Sequence, residues 1–256
     1  MERQHVAAAA VPPPSAPAPA RSASAKPGTA PAPAPPTIPD SQATVATPID
    51  GISPTWTTRN QQNELRLLLD GHANVLFLGD SITDGFANGA GKAVWDTFLA
   101  PLNADDFAIG GFTTSQVLWQ IEAGQVAAVS PDVVVLMIGT NNLGLGQSPA
   151  AAVAGITRIV DEIHAQLPKS EILLLGVLPR GESPTDPFRA KIEQVNSKLA
   201  ELEGNGVTFL DIGAWFLQPD GTISPTVMPD FLHPSEWGYE LYTAAIWDTL
   251  MQLLRR

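Results

Sequence analysis

Ser81 stands directly after an apolar run in the segment VLFLGDSIT. A neutral serine is a weak nucleophile and needs a base within hydrogen-bond reach, usually an imidazole that a carboxylate orients. The chain has 4 histidines, namely His5, His72, His164 and His233. His233 lies in the proline-bounded loop MPDFLHPSEWGY before the final predicted helix, and Asp230 stands three residues before it. These residues predict a Ser81–His233–Asp230 triad and acyl-transfer chemistry.

A second Asp-x-x-His pair shows that this spacing is weak evidence by itself. Asp161 and His164 have the same separation, but they lie in the amphipathic stretch GITRIVDEIHAQL. Residues three apart are neighbours on a helix surface, so we expect a solvent-exposed contact there. The position of His233 in the loop after the last predicted strand therefore favours it as the base.

Acyl transfer also requires hydrogen-bond donors for the oxyanion that forms on the substrate carbonyl. Gly110 and Gly111 follow one predicted strand, and Asn141 and Asn142 follow another in the segment GTNNLG. Paired glycines let the backbone approach a ligand, and asparagine amides donate from the side chain. Both pairs also occur in ordinary turns and caps. Their occurrence at strand ends, together with Ser81, favours an active site but does not choose within either pair.

Five apolar runs bounded by glycine or proline predict buried strands, at Val75–Leu78, Phe107–Ile109, Val133–Ile138, Ile172–Leu178 and Val207–Ile212. Stretches with helical spacing alternate with them, and Ser148-Pro149 and Asp186-Pro187 resemble helix N-caps followed by proline. Buried strands that alternate with helices are typical of a parallel sheet. We expect one three-layer α/β/α domain over residues 49–256, with a central parallel sheet of about five strands. The candidate residues would meet at the carboxyl edge of that sheet. Asp80, beside Ser81, is expected to hold the turn by accepting backbone N–H groups of neighbouring loops.

Residues 1–48 differ in composition from the rest of the chain. They hold 12 of the 24 prolines, in runs such as VPPPSAPAPA, so we expect a disordered Pro/Ala-rich tail or linker. Such a tether is compatible with export to the periplasm or the cell exterior, but the segment HVAAAAV is too short and Ala-rich for a clear signal peptide. The sequence leaves the localisation and the oligomeric state open.

Charge, cysteine content and missing motifs exclude several classes of function. The formal net charge is −12, with −13 on residues 49–256, which disfavours nucleic acid and anionic membrane surfaces as partners. No apolar run approaches the roughly 18 residues that span a bilayer, and there is no cysteine for a thiolate or a metal site. Phosphate-binding loops, the H-E-x-x-H zinc motif and the G-x-S-x-G elbow are absent. We therefore expect a small molecule as the partner, and the family resemblance described next implies an ester, with glycan esters among the candidates.

Four segments resemble, in chain order, the blocks of the SGNH (GDSL-type) hydrolases: GDSIT, the Gly-Gly of FAIGGF, GTNN and DFLH. The segments VLWQIEAGQ and LLLGVLPRGE are similar to the branch with platelet-activating-factor acetylhydrolase catalytic subunits and bacterial acetyl and carbohydrate esterases. The resemblance implies a flavodoxin-like fold, with Ser81 as nucleophile, His233 as base and Asp230 as its orienting acid. It also implies an oxyanion hole made by the Ser81 N–H, the Gly111 N–H and the Asn141 side chain. No metal or organic cofactor is implied.

Two positions of the second block depart from that branch. Ala108 stands where a glycine is usual, and Phe112 stands where a small polar or acidic residue is usual, so we expect the loop and the rim of the site to differ. Trp95, Trp119 and Trp237 are candidates for a sugar-stacking surface, although the helical spacing of Trp119 and Trp237 favours packing.

We expect a serine esterase that removes a short acyl group, with acetyl favoured, from an oxygen ester, with carbohydrate esters as candidate substrates. Three alternatives stay open: a thioesterase or lysophospholipase-type hydrolase of longer acyl chains, a non-catalytic carbohydrate-binding module on the same fold, and a peptidase. The complete set of candidate site residues disfavours the non-catalytic module. No segment suggests a peptide-binding strand edge.

Overall fold

The computed structural model describes residues 37–49, 53–69 and 71–255. Its strands are β1 (Val75–Gly79), β2 (Ala104–Asp106), β3 (Val133–Met137), β4 (Glu171–Leu175) and β5 (Val207–Leu210). Its α-helices are α1 (Pro54–Leu69), α2 (Ser81–Asn88), α3 (Lys92–Val94), α4 (Thr114–Glu122), α5 (Gln125–Val129), α6 (Thr140–Gly144), α7 (Pro149–Gln166), α8 (Pro187–Leu199) and α9 (Glu236–Leu253). Short 3₁₀ turns lie at Asp40–Thr44, Ala100–Leu102, Ala200–Leu202 and Gly213–Phe216, and a π-helical turn lies at Trp95–Leu99.

The strands form a parallel sheet in the order β2-β1-β3-β4-β5. The chain moves from β1 to one edge and then from β3 to the other, so the topology switches between β1 and β3. In sheets of this order, ligands bind outside the carboxyl ends of the strands at the switch point. The predicted parallel α/β fold of flavodoxin type is confirmed, and Ser81 lies at its switch point.

Helices cover both faces of the sheet because alternate side chains of each strand point to opposite faces. Leu76 and Leu78 lie in one core with α1, α4, α7 and α8, whereas Val75 and Phe77 lie in the other core with α2 and α9. All four are fully buried. This arrangement explains why the sequence shows unbroken apolar runs rather than alternation.

The edge strand β2 differs from its prediction. The sequence predicts a strand over Phe107–Ile109, whereas β2 ends just before this run. The chain nevertheless stays beside β1, since the Phe107 N–H donates to the Phe77 carbonyl at 2.9 Å. The Phe107 carbonyl accepts from the side chains of Asn63 on α1 and Gln120 on α4. Side chains of α1 and α4 therefore supply hydrogen bonds that a neighbouring strand would otherwise supply. The apolar run Phe107–Ile109 belongs to a buried loop rather than to β2.

The two predicted helix starts are confirmed. Ser148 Oγ accepts the N–H of Ala151 at 3.1 Å, and Asp186 Oδ1 accepts the N–H of Phe188 at 2.9 Å. Each cap is followed by a proline at the first helical position, where a missing N–H costs nothing. None of the helices in the described residues combines the length and the apolarity needed to cross a bilayer.

The packed domain begins earlier than the predicted boundary at residue 48. Ala43 is fully buried, and the Thr114 hydroxyl donates to its carbonyl at 2.7 Å. Asp40 accepts from the hydroxyl and the N–H of Ser148 at 2.6 and 2.8 Å, and these bonds lower the pKa of Asp40. Composition alone missed this contact because a proline-rich segment can still bind through its carbonyl groups. The rest of the predicted tail, residues 1–36, lies outside the described residues.

Candidate active site

Ser81 is the first residue of α2 and lies immediately beyond β1. Asp80 caps this helix, since its carboxylate accepts the N–H of Ile82 at 3.0 Å. The first N–H groups of a helix have no partner within the helix, and that of Ser81 is one of them. The apolar run of β1 therefore ends in a turn that presents a hydroxyl and a backbone donor together.

Ser81, His233 and Asp230 form a chain of hydrogen bonds. Ser81 Oγ lies 2.8 Å from His233 Nε2, and His233 Nδ1 lies 2.6 Å from Asp230 Oδ2. A nucleophile, its base and an orienting carboxylate require this relative placement. The fold thus brings together the three residues that the sequence predicts as a triad, although Ser81 and His233 are 152 residues apart in the chain.

Asp230 shapes the loop that carries His233. Its Oδ1 accepts the backbone N–H of His233 at 2.7 Å and that of Leu232 at 3.1 Å. Partial burial acts to raise the pKa of Asp230, but the hydrogen bonds from the His233 ring and backbone outweigh it and lower the pKa. Asp230 is therefore ionised at neutral pH. The site is open, because 40% of the His233 side chain and 56% of the Asp230 side chain remain exposed.

The other histidines lie away from this site. His164 is on α7 and its Nε2 lies near Gly206, which precedes β5, so it stands at the amino edge of the sheet. No hydrogen bond joins it to Asp161 among the described residues, so the contact predicted for this pair is not formed. His72 precedes β1 at the same edge, with its Nδ1 3.3 Å from a backbone carbonyl. His5 lies outside the described residues.

Gly110 and Gly111 form a turn beside Ser81. A Cβ added to Gly110 would lie 3.6 Å from Ser81 Cβ. Gly111 has a φ of 87°, which glycine adopts at little cost. Its N–H forms no hydrogen bond with another described residue. The Gly111 N–H is therefore a candidate donor to an oxyanion on Ser81.

Asn141 and Asn142 have different surroundings although they are adjacent. Asn142 is fully buried, and its amide donates to the Thr114 hydroxyl at 2.8 Å and to Gln147 Oε1 at 2.7 Å. An amide nitrogen carries two N–H groups, so none remains for a ligand. Asn141 is only half-buried and donates to the Phe112 carbonyl at 2.9 Å, which leaves its second N–H. These contacts favour Asn141, the choice that the family resemblance implies.

Asp80 lies beneath the site and does not replace Asp230. Burial raises the pKa of Asp80 to about 7. The Ile82 N–H and the charges of His233 and Arg180 act to lower this pKa, but burial outweighs them. Its hydrogen bond goes to its own helix, as a capping residue requires. Asp80 thus has the predicted structural role, but its carboxylate binds its own helix rather than the neighbouring loops.

Helix α1 contributes two side chains to the base of the site that no sequence pattern identified. Trp56 Nε1 donates to the Gly110 carbonyl at 2.7 Å. Arg59 is buried and pairs with Asp84 at 2.9 Å and with Asp106 at 3.6 Å. The segment PTWTTRN offers no signal for these contacts, because a tryptophan and an arginine one helical turn apart fit many helix surfaces.

Arg180, in the loop after β4, is a third residue that the sequence did not assign. Its guanidinium lies 4.2 Å from the centre of the Phe188 ring and 3.3 Å from Thr140 Oγ1. Burial lowers the pKa of Arg180, while Asp186, Asp80 and Asp230 raise it. The guanidinium therefore adds positive charge at the carboxyl edge. The sequence signal that could have identified Arg180 is its position just after the predicted strand Ile172–Leu178.

The two departures in the second block do not reach the rim of the site. Ala108 and Phe112 are both fully buried. The Phe112 ring packs edge to face against Trp56, with 5.1 Å between ring centres. Both residues belong to the core, so neither side chain lines the rim, and their effect on the loop stays a prediction.

The tryptophans considered for sugar stacking divide between core and surface. Trp95 is buried against Phe77, and Trp119 is partly buried against the core, so both are packing residues. Trp237, on the first turn of α9, is 50% exposed, so the packing role favoured for it is wrong. Trp215, in the turn after β5, is 51% exposed and was not predicted.

Within the part of the chain that the structure describes, no three His, Cys, Asp or Glu side chains cluster so that they could hold a metal ion. The candidate site therefore consists of one nucleophile, its base and acid, and hydrogen-bond donors from three strand ends.

Comparisons with known proteins agree with this arrangement. Residues 77–241 match the profile of the GDSL-like Lipase/Acylhydrolase family. A platelet-activating factor acetylhydrolase IB subunit alpha2 from Gallus gallus is 38% identical over 189 residues, which cover 72% of this chain and 79% of that protein. A GDSL-like lipase from Bacteroides thetaiotaomicron superposes with a TM-score of 0.60 at 22% identity, covering 77% of this chain and 97% of that one. An acetyl xylan esterase superposes with a TM-score of 0.59 at 20% identity, covering 69% of this chain and 98% of that one.

The fold and these matches define a carboxylic ester hydrolase. Within that class, the chain belongs to the GDSL-like lipase/acylhydrolase family. The resemblance drawn from the four sequence blocks is thereby confirmed. The likeness to the two solved structures is a likeness of fold, since their sequence identity is low.

Proposed function

We propose that this protein is a serine esterase that removes short acyl groups, chiefly acetyl, from oxygen esters of carbohydrates. The observation that carries the proposal is the hydrogen-bonded chain from Ser81 Oγ through His233 to Asp230. A serine with a positioned imidazole and carboxylate is equipped for covalent acyl transfer.

In the first half of the reaction, Ser81 Oγ attacks the ester carbonyl while His233 Nε2 takes the hydroxyl proton. The carbonyl oxygen then carries negative charge and accepts from the backbone N–H groups of Ser81 and Gly111 and from Asn141 Nδ2. Asp230 stabilises the imidazolium through Nδ1. When the intermediate collapses, His233 returns the proton to the leaving alcohol, and the acyl group stays on Ser81.

In the second half, a water molecule replaces the alcohol. His233 takes a proton from this water as it attacks the acyl-Ser81 carbonyl, and the same donors hold the second oxyanion. Collapse breaks the bond to Ser81 Oγ, which recovers its proton from His233, and the carboxylic acid leaves. The enzyme returns to its starting state without an added oxidant or reductant.

Two similarities support acetyl as the preferred acyl group. The relative that is 38% identical is named an acetylhydrolase, and one structural neighbour is an acetyl xylan esterase. Acetyl transfer thus occurs both in a sequence relative and on the shared fold.

The charge and surface of the domain support a neutral, hydrated alcohol. Residues 49–256 carry a formal charge of −13, which repels anionic headgroups and anionic membrane surfaces. Trp237 and Trp215 are both half exposed and follow elements at the carboxyl side of the sheet. Exposed indole rings provide apolar faces for a sugar ring.

The test is an acyl-length series of p-nitrophenyl esters, from acetyl to octanoyl, with the wild-type protein, Ser81→Ala and Ser197→Ala at pH 8. Ser197 is an exposed serine on α8 and serves as the matched control. We expect acetyl to be cleaved fastest and Ser81→Ala to lose at least roughly 10³-fold in kcat, whereas Ser197→Ala stays at the wild-type rate. Acetate release from acetylated xylo-oligosaccharides then tests the alcohol.

Other outcomes would contradict specific parts of the proposal. Faster cleavage of octanoyl than acetyl esters favours the alternative of a thioesterase or lysophospholipase-type hydrolase. Equal rates for wild type and Ser81→Ala remove Ser81 as nucleophile. Sugar binding by both proteins without hydrolysis favours a non-catalytic carbohydrate-binding module.

A further inference from the structure

We infer that Trp56 is a positioning residue for the oxyanion hole. Its hydrogen bond to the Gly110 carbonyl fixes the peptide so that the Gly111 N–H is left for a ligand. The inference rests on the proposed function, because it concerns the donor that Gly111 would offer to the acyl intermediate. Trp56 precedes residues 77–241, the part of the chain that matches the family profile.

The peptide between Gly110 and Gly111 has one hydrogen-bonded side and, among the described residues, one free side. This peptide is trans, so its C=O and its N–H point in opposite directions. Trp56 Nε1 donates to the Gly110 carbonyl at 2.7 Å. The Gly111 N–H must therefore point away from the indole nitrogen and is left for a ligand.

This peptide needs an external constraint to keep its orientation. Glycine populates positive and negative φ almost equally, so the Gly110-Gly111 pair can flip its connecting peptide at little intrinsic cost. A flip would turn the carbonyl toward the developing oxyanion and remove a donor. The Trp56 hydrogen bond stabilises the orientation in which Gly111 has a φ of 87°.

The indole of Trp56 also constrains the residues around this peptide. A Cβ on Gly111 would lie 3.3 Å from Trp56 Cζ2, so the ring lies against the Gly111 backbone. The Phe112 ring packs edge to face on Trp56 at 5.1 Å, and the Phe112 carbonyl accepts from Asn141. One side chain from α1 therefore supports both the Gly111 and the Asn141 donors.

The experiment compares Trp56→Phe with wild type and with Trp119→Phe. Phenylalanine keeps an aromatic ring at position 56 but lacks the N–H. Trp119 is a partly buried tryptophan of the same core that donates no hydrogen bond to the described residues, so it controls for loss of ring volume. We expect Trp56→Phe to lower kcat for p-nitrophenyl acetate at least about 10-fold with KM within twofold, because losing a whole oxyanion donor costs about 10²–10³.

A second readout separates positioning from general structural damage. Sulfur is a weak hydrogen-bond acceptor, so an enzyme that relies on oxyanion donors should prefer the ester to O-4-nitrophenyl thionoacetate. We expect the ratio of kcat/KM for ester over thionoester to fall in Trp56→Phe and to stay at the wild-type value in Trp119→Phe. A damaged fold would lower both rates without changing their ratio.

The outcomes distinguish this inference from the proposed function. If Ser81→Ala abolishes hydrolysis but Trp56→Phe matches Trp119→Phe in kcat and in the ester-to-thionoester ratio, the Trp56 inference is wrong and the proposed function stands. If Ser81→Ala retains the wild-type rate, the proposed function fails first. Should Trp56→Phe lower the unfolding midpoint in urea, replacement of Trp56 by 3-benzothienylalanine keeps the bicyclic shape without the N–H. An unchanged ester-to-thionoester ratio in that variant would likewise overturn the inference.

Discussion

His233 depends on Asp230 for both its orientation and its charge balance. The same carboxylate accepts from the imidazole ring at 2.6 Å and from the His233 backbone N–H at 2.7 Å. It therefore fixes the loop as well as the ring. The exposure of both side chains means that hydrogen bonding, rather than burial, holds this part of the triad.

We predict that Asp230→Asn lowers kcat at least roughly 10³-fold, because an amide neither accepts from Nδ1–H as a carboxylate does nor stabilises the imidazolium. The measurement is kcat for p-nitrophenyl acetate. Asp161→Asn is the matched control, since Asp161 has the same spacing to a histidine but is exposed on α7. An Asp230→Asn rate above a tenth of wild type would contradict the assignment of Asp230.

At the scale of the element, Asp80 places a titrating group at the start of α2. Burial raises the pKa of Asp80 to about 7, whereas an unfolded aspartate titrates near 3.8. Between these values the folded protein holds a proton that the unfolded chain has released. Stability contributed by the protonated form is therefore lost as pH rises from about 4 through about 7.

We predict that Asp80→Asn flattens this pH dependence without removing the cap, because asparagine caps helices as well as aspartate does. The measurement is the free energy of unfolding in urea at pH 5 and pH 8. The wild type should lose more stability between the two values than Asp80→Asn does. An identical loss in both proteins would show that Asp80 does not titrate in this range, and Asp106, whose pKa burial raises to about 8, would then be the next group to test.

Helix α1 is attached to the sheet by the buried guanidinium of Arg59. The Arg59 side chain is 9% exposed and that of Asp106 is fully buried, and Arg59 also donates to the Asp106 carbonyl. Arg59 also donates to Asn63 Oδ1, so its removal leaves two buried acceptors without their donor. This contact lies four residues before the Gly110-Gly111 turn.

We predict that Arg59→Met lowers the free energy of unfolding by at least about 2 kcal/mol, because each buried acceptor left without a donor costs about 1–3 kcal/mol. Arg66→Met is the matched control on the same helix, because Arg66 pairs with Asp105 at the surface with 36% of its side chain exposed. Arg66→Met should lower the free energy of unfolding by about 1 kcal/mol or less. Equal losses in urea unfolding would show that burial does not strengthen the Arg59 contact.

At the scale of the whole molecule, the segment 37–49 packs against the domain, although the predicted boundary at residue 48 assigns most of it to the tail. Its carbonyl groups accept from Thr114, Ser115 and Gln147, which lie on and near α4 and α6. Gln147 also accepts from Asn142, the neighbour of the candidate donor Asn141. The segment is thus part of the scaffold that supports the site.

We predict that a chain beginning at residue 49 is less stable than one beginning at residue 37 by at least about 2 kcal/mol, since it lacks several buried or partly buried hydrogen bonds worth roughly 0.5–1.5 kcal/mol each. Urea unfolding of the two chains measures the difference, and kcat reports whether the site is affected. Equal stability would mean that the contacts of residues 37–48 contribute nothing to folding.

The sequence by itself determined the parallel α/β fold, four of the five strands to within a few residues, and the three residues of the hydrogen-bonded triad. These features have local signals: apolar runs for strands buried on both faces, capping residues before proline, and reactive side chains at strand ends. The edge strand β2 was misplaced because side chains of α1 and α4, not another strand, satisfy the Phe107 carbonyl.

The tertiary structure alone decided what depends on contacts between distant parts of the chain. It distinguished Asn141 from Asn142 through Thr114 and Gln147, which use both N–H groups of Asn142. It also placed Trp56 on the Gly110 carbonyl, 54 residues further along the chain. Such contacts leave no periodic signal, because a hydrogen bond between two distant segments depends on how the elements pack rather than on the spacing of residues within either one.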